Sequence, residues 1–523
     1  MAGGLFQNIE PDHEDYLRDE SRRMGEADSI SFPVNEEQVQ EILGEAEGHG
    51  LPVTTQGGRT GISAGAVPES GHVLNLSRMN GISGMRYDEN HERFLLTVQP
   101  GVLLADLRKV IHAKDFDVAN WSADSRAALK RFRESGDWFF PPDPTETTAS
   151  IGGMISCNAS GALTFRYGPT RRHVEALRVL LADGTVLQLR RGREKAEGRH
   201  FTLVAEDGWK VEGRLPSYRM PAVKNAAGFF AADNMDLLDL FIGSEGTLGI
   251  VVEAEIALTP APPFRWGIMA FLPGEAHALS FVRQARSDDL AHKPVAIEFF
   301  DNRALTLLRD NRGKFAVLSE LPELPPHFHT AVYVEYHGDS EDVVMAAMEG
   351  LVGELEGCGG DEDATWTAMD EHEMQRLKDF RHAVPETVNS LIDERRKTEP
   401  KLTKLGTDMA VPDERLEDVM KMYHGALDQE GLEYVMFGHI GNNHVHVNIL
   451  PRDLSEYEKG RSTYLEWARG VIHMGGTVSA EHGIGKLKVP LLKEMYGEKG
   501  IEEMKAVKRL FDPDRRLNRG NLF

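Results

Sequence analysis

Four glycine-rich segments in the first half of this 523-residue chain restrict the folds open to it. Glycine permits positive φ and close approach to the backbone, so successive amides in such segments can converge on a pyrophosphate. Hydroxyls such as Thr60, Ser63 and Ser150 could add donors to phosphate oxygens. One such segment alone is more often a tight turn between strands, so the interpretation depends on the ordered set. The segments are QGGRTGISAG (56–65), PPDPTETTASIGGMISCNASG (141–161), RYGPTRR (166–172) and GSEGTLGIV (243–251).

The pattern around these segments indicates alternating strands and helices. VNEEQVQEILGEAEGHG predicts an amphipathic helix whose buried face carries Val39, Ile42, Leu43 and Ala46. The Pro-rich TPAPPF (259–264) predicts a domain boundary. We therefore expect a polar lead-in, a first domain, a second domain with an antiparallel sheet and helices on one face, and a helical tail. Their bounds are 1–32, 33–262, 263–489 and 490–523, with a helical insertion near 119–138 and a solvated one near 190–220.

Charge and cysteine content exclude several classes of protein. The formal net charge is −24, which disfavours a non-specific nucleic-acid binder and requires local positive charge at any site for an anionic substrate. Cys157 and Cys358 form no CxxC pair, which argues against cysteine-ligated iron–sulfur clusters and against a disulfide framework. No glycine segment matches GxGxxG or GxxxxGK[ST], which disfavours a Rossmann nicotinamide site and a P-loop. We expect no membrane span, no signal peptide and a cytoplasmic location.

Two late segments concentrate histidines. VMFGHIGNNHVHVNI (435–449) places His444, His446 and Asn448 on one face of a predicted strand, because side chains repeat every second residue. GGTVSAEHGIGK (475–486) adds a carboxylate beside a histidine. A lone histidine is more often a hydrogen-bonded structural residue, but three within eight residues favour a divalent metal such as zinc, manganese or iron.

The ordered motifs resemble those of the flavoprotein family typified by vanillyl-alcohol oxidase. The resemblance rests on PVTTQGGRTGISAGAVP, PPDP, SIGGMISCNASGA, RYG and GSEGTLGI, and it covers roughly residues 33–260. It implies an α+β fold with a two-subdomain FAD-binding domain followed by a cap domain, with the tail returning to the FAD domain. Gln56 and Arg59 stand where an arginine and a glycine are usual, which leaves open where the positive group near the pyrophosphate lies. Because no histidine stands in the first loop, we expect FAD to bind non-covalently.

The resemblance also implies which residues contact FAD. The pyrophosphate would lie on the first loop, the isoalloxazine and ribityl part on the second segment, and the flavin and adenine ends near the fourth. In this sequence the implied residues are Gln56, Gly57, Gly58, Arg59, Thr60, Gly61 and Ser63, then Pro141, Asp143, Ser150, Gly152, Gly153, Asn158, Ser160 and Gly161, then Gly246, Gly249 and Ile250.

The histidine segments resemble the GHxGDGNLH and SxEHGIG signatures of the FAD-linked D-2-hydroxyacid dehydrogenases. These include D-lactate and D-2-hydroxyglutarate dehydrogenases and the glycolate oxidase flavoprotein subunit. The resemblance implies that His439, His446 and Glu481 bind the metal and that His482 is the catalytic base. Asn442, Asn443 and His444 depart from the usual Asp, Gly and Asn, which leaves open the metal's identity and whether His444 is a ligand.

Two cations are candidates for binding a substrate carboxylate. DFRHAVPETV resembles the family's WxxRexxxEA segment and favours Arg381, whose guanidinium can hold a carboxylate with two bonds. KLGTDMAVP resembles the family's strand ending in DxxVP and makes Lys404 a weaker candidate.

We expect FAD-dependent oxidation of a small 2-hydroxy acid, of D configuration, to the 2-oxo acid. The electron acceptor would be a separate electron-transfer flavoprotein, quinone, cytochrome or iron–sulfur subunit, and the protein could be a homodimer, peripheral at a membrane through a partner. One alternative is a transferase like alkylglycerone-phosphate synthase, against which Ala480-Glu481-His482 weighs. The other is a non-catalytic FAD-binding electron-transfer subunit, for which the departures at 442–444 leave room.

Overall fold

The computed structural model describes residues 4–288, 290–314 and 323–523. Its α-helices are α1 Glu36–Gly48, α2 Leu104–Ala113, α3 Ala123–Glu134, α4 Ile151–Cys157, α5 Thr164–Tyr167, α6 Leu238–Phe241, α7 Glu275–Arg286, α8 Asn302–Asn311, α9 Glu341–Gly357, α10 Glu371–Arg396, α11 Leu416–Glu430, α12 Leu454–His473 and α13 Val489–Phe511.

The strands alternate with these helices in the first part of the chain and form hairpins later. They are β1 Gln7–Asn8, β2 Ser29–Ser31, β3 Val53–Gln56, β4 His72–Asn75, β5 Ile82–Asp88, β6 Arg93–Val98, β7 Trp138–Phe139, β8 Val174–Leu180, β9 Val186–Arg190, β10 His200–Val204, β11 Lys210–Arg214, β12 Ile250–Ala257, β13 Thr259–Pro260, β14 Phe264–Leu272, β15 Ala296–Phe300, β16 Thr330–Gly338, β17 Thr365–Ala368, β18 Leu405–Gly406, β19 Tyr434–His439 and β20 His444–Ile449.

The first domain is built on two sheets. Four of the described strands form one in the order β1-β2-β4-β3, in which β2, β4 and β3 run parallel. Five others form an antiparallel sheet in the order β5-β6-β12-β8-β9. The predicted apolar face of α1 is buried in a core cluster that takes residues from both sheets. The mixed α/β architecture predicted for this domain is confirmed.

The two predicted insertions differ in character. Residues 119–138 contain α3, which packs on β5 and buries Leu129 and Phe132. Residues 190–220 contain the β10–β11 hairpin, and this segment is not simply solvated. Phe201, Leu203 and Val211 are buried on one side of the hairpin, where β11 packs against α13.

The second domain is built on an antiparallel sheet. Seven of the described strands form it in the order β17-β14-β16-β15-β19-β20-β18. Alternate residues face opposite sides, as the pleat of a strand requires. Ile268, Ile297 and Val334 lie in the core formed with α7, α9 and α11. The predicted antiparallel sheet with a helical layer is confirmed.

The opposite face of this sheet carries helices only in part. Met269, Phe300 and Tyr333 lie on it, in a core completed by α8 and α10. The prediction placed helices on one face. In the structure, α8 and α10 also cover part of the second face, at β14, β16 and β19. Beyond them the second face, which we call the site face, carries Glu298, Glu335 and the histidines of β19 and β20.

The tail after α13 returns to β3, the strand that leads into the first glycine-rich loop. The Asn518 amide donates to the Val53 carbonyl at 2.8 Å, and its side-chain oxygen accepts from the Thr55 amide at 2.7 Å. The Asn518 side-chain amide donates to the Glu245 carbonyl at 2.7 Å, within the fourth glycine-rich segment. One buried side chain thus joins the tail to two of the predicted cofactor segments. None of the described helices combines the length and the hydropathy that a membrane span requires.

Replacing Asn518 by Ala should lower the free energy of unfolding by about 2–3 kcal/mol. The Thr55 amide and the Glu245 carbonyl would lose their buried partners, and an unsatisfied buried polar group costs roughly 1–3 kcal/mol. Urea unfolding followed by circular dichroism measures the change. Arg519→Ala, at an exposed neighbour, is the control and should unfold like the parent. Equal midpoints for N518A and the parent would show that the tail contributes no stability at this position.

Candidate functional site

Three imidazoles of the β19–β20 hairpin converge on the site face. His439 and His444 are paired across the hairpin, and His446 lies two residues further along β20. The ring centroids of His444 and His446 are 4.3 Å apart, and those of His439 and His444 are 5.5 Å apart. The predicted alternation of His444, His446 and Asn448 on one face of a strand is therefore present in the fold.

The outer ring nitrogens of two histidines face acceptors on the protein side. His439 Nδ1 lies 2.7 Å from Glu298 Oε1, and His446 Nδ1 lies 2.9 Å from the Thr407 carbonyl oxygen. Because a carbonyl oxygen can only accept, His446 Nδ1 carries the proton and the Nε2 lone pair of the neutral ring points inward. Such outer partners fix the tautomer and orientation of histidines that ligate metals.

The inner nitrogens face the Glu481 carboxylate. Glu481 Oε1 lies 3.4 Å from His439 Nε2, 3.4 Å from His446 Nε2 and 3.5 Å from His482 Nε2. Burial alone would raise the pKa of Glu481, but Lys224 and the histidines lower it well below its usual value. Glu481 is therefore an anion at the centre of the cluster.

Lys224 is a second partner of Glu481 and connects it to the glycine-rich segments. Its Nζ donates to Glu481 Oε2 at 2.5 Å and approaches the Gly161 carbonyl at 3.4 Å. Ser160 Oγ also approaches Glu481 Oε2, at 3.4 Å. Residues predicted for the cofactor and residues predicted for the metal thus meet at one carboxylate.

Asp408 anchors the loop that carries Glu481 and His482. Its carboxylate accepts from the amides of Glu481 and His482 at 3.1 and 3.0 Å and from Lys488 Nζ at 2.6 Å. Burial would raise the pKa of Asp408, but His482, Lys488 and His444 lower it well below its usual value. His482 Nδ1 lies 3.5 Å from Asp408 Oδ2, so this anion also faces the predicted base.

The donor set fits a divalent cation. His439, His444, His446 and Glu481 each offer one ligand atom, and these atoms lie within 4.8 Å of one another. Two donors that bind zinc at about 2.0–2.1 Å in a tetrahedral site lie about 3.3 Å apart, which matches the 3.4 Å from Glu481 Oε1 to two of the imidazoles. Burial opposes charge on His439, yet Glu298 raises its pKa to about 9, so the cluster without metal holds a proton there.

Arg381, on α10, directs its guanidinium toward the site face. It lies 3.7 Å from Glu298 Oε2 and over the Tyr333 ring at 5.3 Å. It donates no hydrogen bond to any residue that the structure describes, and its Nε is buried without a partner. A buried guanidinium with unused donors is suited to an anionic ligand.

Lys404 lies further from the histidine cluster. It precedes β18, on the same side of the strand as Gly406, which is paired with Asn448. Burial and the nearby Arg22 lower the pKa of Lys404 to about 8. The described residues place no carboxylate beside its ammonium, so it remains a candidate for binding an anion.

The first glycine-rich loop fits the phosphates of a dinucleotide. Gly57 and Gly58 pack on the second segment so closely that a Cβ would meet Ser150 Oγ at 2.0 Å or the Thr148 carbonyl oxygen at 2.5 Å. Ser150 Oγ accepts from the amides of Gly58 and Gly153. Among the described residues, the amides of 59–63 find no acceptor, and 59–62 are partly or fully exposed. Free amides in succession form an anion-binding concavity.

The two departures in this loop have different roles. Gln56 is buried, and its amide donates to the carbonyls of Tyr16 and Ala66, both at 2.7 Å. Arg59 has φ 58° and stacks its guanidinium over the Tyr16 ring at 4.2 Å. The Gln56 side chain is therefore occupied by hydrogen bonds within the protein, whereas the positive charge of Arg59 lies at the loop.

The first loop also reaches the histidine site. Ser63 Oγ donates to the His482 carbonyl at 3.1 Å, and the Ser63 carbonyl accepts from the Lys486 amide at 2.9 Å. Thr60 and Gly61 lie at the partly exposed tip of the loop. The loop and His482, the predicted base, are therefore in direct contact.

The second segment borders the site through Asp143 and Gly161. Asp143 accepts from the Leu163 amide and packs against Gly161. Burial raises the pKa of Asp143 to about 6, although the nearby Arg381, Arg108 and His439 oppose this. Pro141 is buried beside it.

Other predicted cofactor residues have contacts within the protein. Gly152 packs on Pro100, and Asn158 ends α4 at φ 50° and accepts from the Arg171 amide. Gly246, at φ 68°, packs on Asn518, and Gly249 packs on β8. Ile250 lies in the core with α1. Contact of these residues with FAD remains a prediction.

Sequence reasoning missed Asp408, Lys224 and Glu298. Asp408 lies in the KLGTDMAVP segment, where the family resemblance points to Lys404 as a cation for the substrate and not to the acid. Glu298 is an isolated acid in the apolar strand VAIEFF, and a buried acid there is a signal for a partner. Lys224 follows the polar 190–220 segment and carries no local signal.

The fold and site define a two-domain flavoprotein oxidoreductase, and comparison with protein-family models agrees. Residues 262–522 match the C-terminal domain of FAD linked oxidases, and residues 27–129 and 125–190 match an FAD binding domain. The chain belongs to the FAD-linked oxidases.

Curated relatives match almost the whole chain. Glycolate oxidase subunit GlcD of Bacillus subtilis is 28% identical, over 95% of this chain and 89% of its own length. D-2-hydroxyglutarate dehydrogenase of Stutzerimonas stutzeri is 28% identical, over 97% and 94%. D-lactate dehydrogenase of Archaeoglobus fulgidus is 26% identical, over 94% and 90%.

A solved structure of alkyldihydroxyacetonephosphate synthase shares the fold. Its TM-score is 0.62 at 15% identity, over 98% of this chain and 82% of that one. At this identity the likeness shows a shared fold and gives no information about the activity of this chain.

Replacing Asp408 by Asn should destabilise the loop of Glu481 and His482. The buried Lys488 ammonium would lose its counter-charge, and breaking a buried ion pair costs about 3–5 kcal/mol. Thermal unfolding of FAD-loaded protein measures the loss. The double variant D408N/K488M should recover part of it, because the unpaired charge is then removed. If D408N unfolds like the parent, Asp408 does not anchor this loop.

Proposed function

We propose that this enzyme oxidises a small 2-hydroxy acid of D configuration to the 2-oxo acid, with non-covalent FAD and a divalent cation held by His439, His446 and Glu481. The observation that carries the proposal is the convergence of Glu481, the imidazoles and Arg381 on one face beside the glycine-rich segments. The relatives named for glycolate, D-lactate and D-2-hydroxyglutarate support the substrate class.

His482 is the proposed base. Its side chain is 27% exposed, against 14% or less for His439, His444, His446 and Glu481, so it is the imidazole of the cluster most open to a substrate. Asp408 near Nδ1 favours the tautomer that carries its proton there and stabilises the imidazolium after proton uptake. Nε2 is then free to take the hydroxyl proton.

The cation and the flavin supply the remaining chemistry when they are bound. A bound cation would supply Lewis-acid polarisation of the substrate hydroxyl, and bound FAD would supply the acceptor for a hydride. His439, His446 and Glu481 would hold the cation. Glu298 orients the His439 ring, and the Thr407 carbonyl orients the His446 ring. Zinc, manganese and iron all suit this donor set.

Arg381 would hold the substrate carboxylate. Its guanidinium is buried with unused donors, and its charge offsets Glu298, Glu335 and Asp143 around it. The Arg381 guanidinium and the cation together would supply the positive charge that the net charge of −24 requires at a site for an anionic substrate. Lys404 is the second candidate for an anion contact.

Turnover would need an acceptor for the electrons that FAD takes up. Neither of the two cysteines belongs to a cluster motif, and the B. subtilis relative is named a subunit, which supports a partner for this chain. We propose an electron-transfer flavoprotein, quinone, cytochrome or iron–sulfur subunit as acceptor. A homodimer, cytoplasmic location and peripheral membrane contact through the partner stay predictions.

Turnover with an artificial dye and a panel of D- and L-2-hydroxy acids tests this function. At least one D acid should bleach the flavin, and His482→Asn should keep the flavin absorbance but lower the bleaching rate by about 10²–10⁴-fold, the usual contribution of a general base. His473→Asn, at an exposed helix end, is the matched control. Bleaching of H482N at the parent rate would reject the base assignment, and absence of bleaching by every acid would reject the function.

Replacing Arg381 by Lys should raise KM by about 10–100-fold, because a hydrogen bond to a charged group contributes about 1.5–3 kcal/mol and lysine cannot form the two-bond contact. Arg376→Lys, exposed on the same helix, is the control. An unchanged KM in R381K would place the carboxylate elsewhere.

If Lys404 also binds the anion, KM of the parent should rise above about pH 8, where its ammonium deprotonates, and Lys404→Arg should remove that rise.

A further inference from the structure

His444 has the most completely buried imidazole of the cluster and no use in the chemistry described so far. Its side chain is 0% exposed; Nε2 faces Asp408 Oδ1 at 3.0 Å, whereas Nδ1 is buried without a hydrogen-bond partner among the described residues. A buried polar atom without a partner is costly, so the unpaired Nδ1 of His444 points to a ligand.

The orientation of the ring repeats that of the other two histidines. His444 Nε2 lies 3.0 Å from Asp408 Oδ1, on the protein side, and Nδ1 lies 4.0 Å from Glu481 Oε2, on the inner side. Glu298 faces His439 and the Thr407 carbonyl faces His446 in the same way. Each of the three rings thus has an acceptor behind it and Glu481 in front of it.

The turn before His444 is held from outside the site. Asn443 adopts φ 53°, a conformation that asparagine tolerates better than most residues. Its side chain accepts from Arg286 Nη1 at 2.7 Å and donates to Asp413 at 2.6 Å, and Arg286 also donates to the Ile440 carbonyl. These contacts fix the direction in which β20 begins, and with it the inward position of His444.

We propose that His444 is a fourth protein ligand of the cation, through Nδ1, so that the site is built from three histidines and one glutamate. This inference rests on the proposed function, because it needs a cation at His439, His446 and Glu481. Four protein ligands would close a tetrahedral zinc site. A substrate hydroxyl can then join only if the ion accepts five or six ligands, which favours manganese, iron or cobalt over zinc.

Cobalt binding to FAD-loaded protein stripped of metal by a chelator tests the proposal. Co²⁺ affinity is measured by competition with the chelator, and ligand-field absorption is recorded at wavelengths beyond the flavin bands. His444→Asn should weaken Co²⁺ binding by at least about 10–100-fold, the loss typical even of outer partners of ligands, and shift the absorption. His72→Asn, at a buried histidine of β4, is the control and should bind Co²⁺ like the parent.

The outcomes separate this inference from the function on which it rests. If the parent binds Co²⁺, H439N and H446N abolish binding, and H444N keeps the parent affinity and spectrum, then His444 is not a ligand while the proposed metal site stands. If the parent binds no divalent cation, both proposals fail.

A measurement on the parent protein covers the case in which H444N does not fold. Each Co²⁺-bound imidazole carries one ring N–H, whose proton resonance is shifted far outside the normal range by the paramagnetic ion. Three such exchangeable signals support three histidine ligands. Two signals overturn the proposal.

Discussion

The structure around the site depends on one buried anion, the Glu481 carboxylate. It is faced by His439, His446, His482 and Lys224, which come from segments far apart in the chain. A buried carboxylate is stable only when opposite charge and hydrogen bonds replace the water it has lost. Both domains contribute to that replacement, because Lys224 and Ser160 come from the first and the histidines from the second.

Asp408 gives the site a second anion directly behind the first. It binds the backbone of the loop that carries Glu481 and His482, and it is neutralised by Lys488. Two carboxylates in one buried place would repel each other, so each is surrounded by its own cations. Asp408 holds the loop from behind, and Glu481 and His482 project from it toward the histidine cluster.

The sequence predicted the architecture well because its signals are local and periodic. The apolar face of α1 and the antiparallel sheet with its helical layer follow from the spacing of apolar residues. The placement of His444 and His446 on one face followed from alternation on β20. Lys224, Glu298 and Asp408 were missed because their roles exist only through contacts across the fold, and a single charged residue carries no pattern.

The same limit applies to side-chain direction in the cofactor segments. Gln56 and Ile250 both occur within the glycine-rich motifs. The Gln56 side chain, however, binds backbone carbonyls, and the Ile250 side chain packs in a core. A motif places a stretch of backbone near a ligand, whereas tertiary packing decides which side chains reach it. The free amides of 59–63 are therefore the feature of this loop that the motif captured.

The pairing of His439 with His444 across a short turn has a consequence for how this hairpin can vary in evolution. Side chains of a strand alternate between the two faces, so a change of one residue in the length of the 440–443 turn would shift the register of β20. His444 and His446 would then point into the apolar layer of α7, α9 and α11, and Val445 would enter the polar site. Substitutions that keep the length of the turn preserve this register, whereas single-residue insertions and deletions do not.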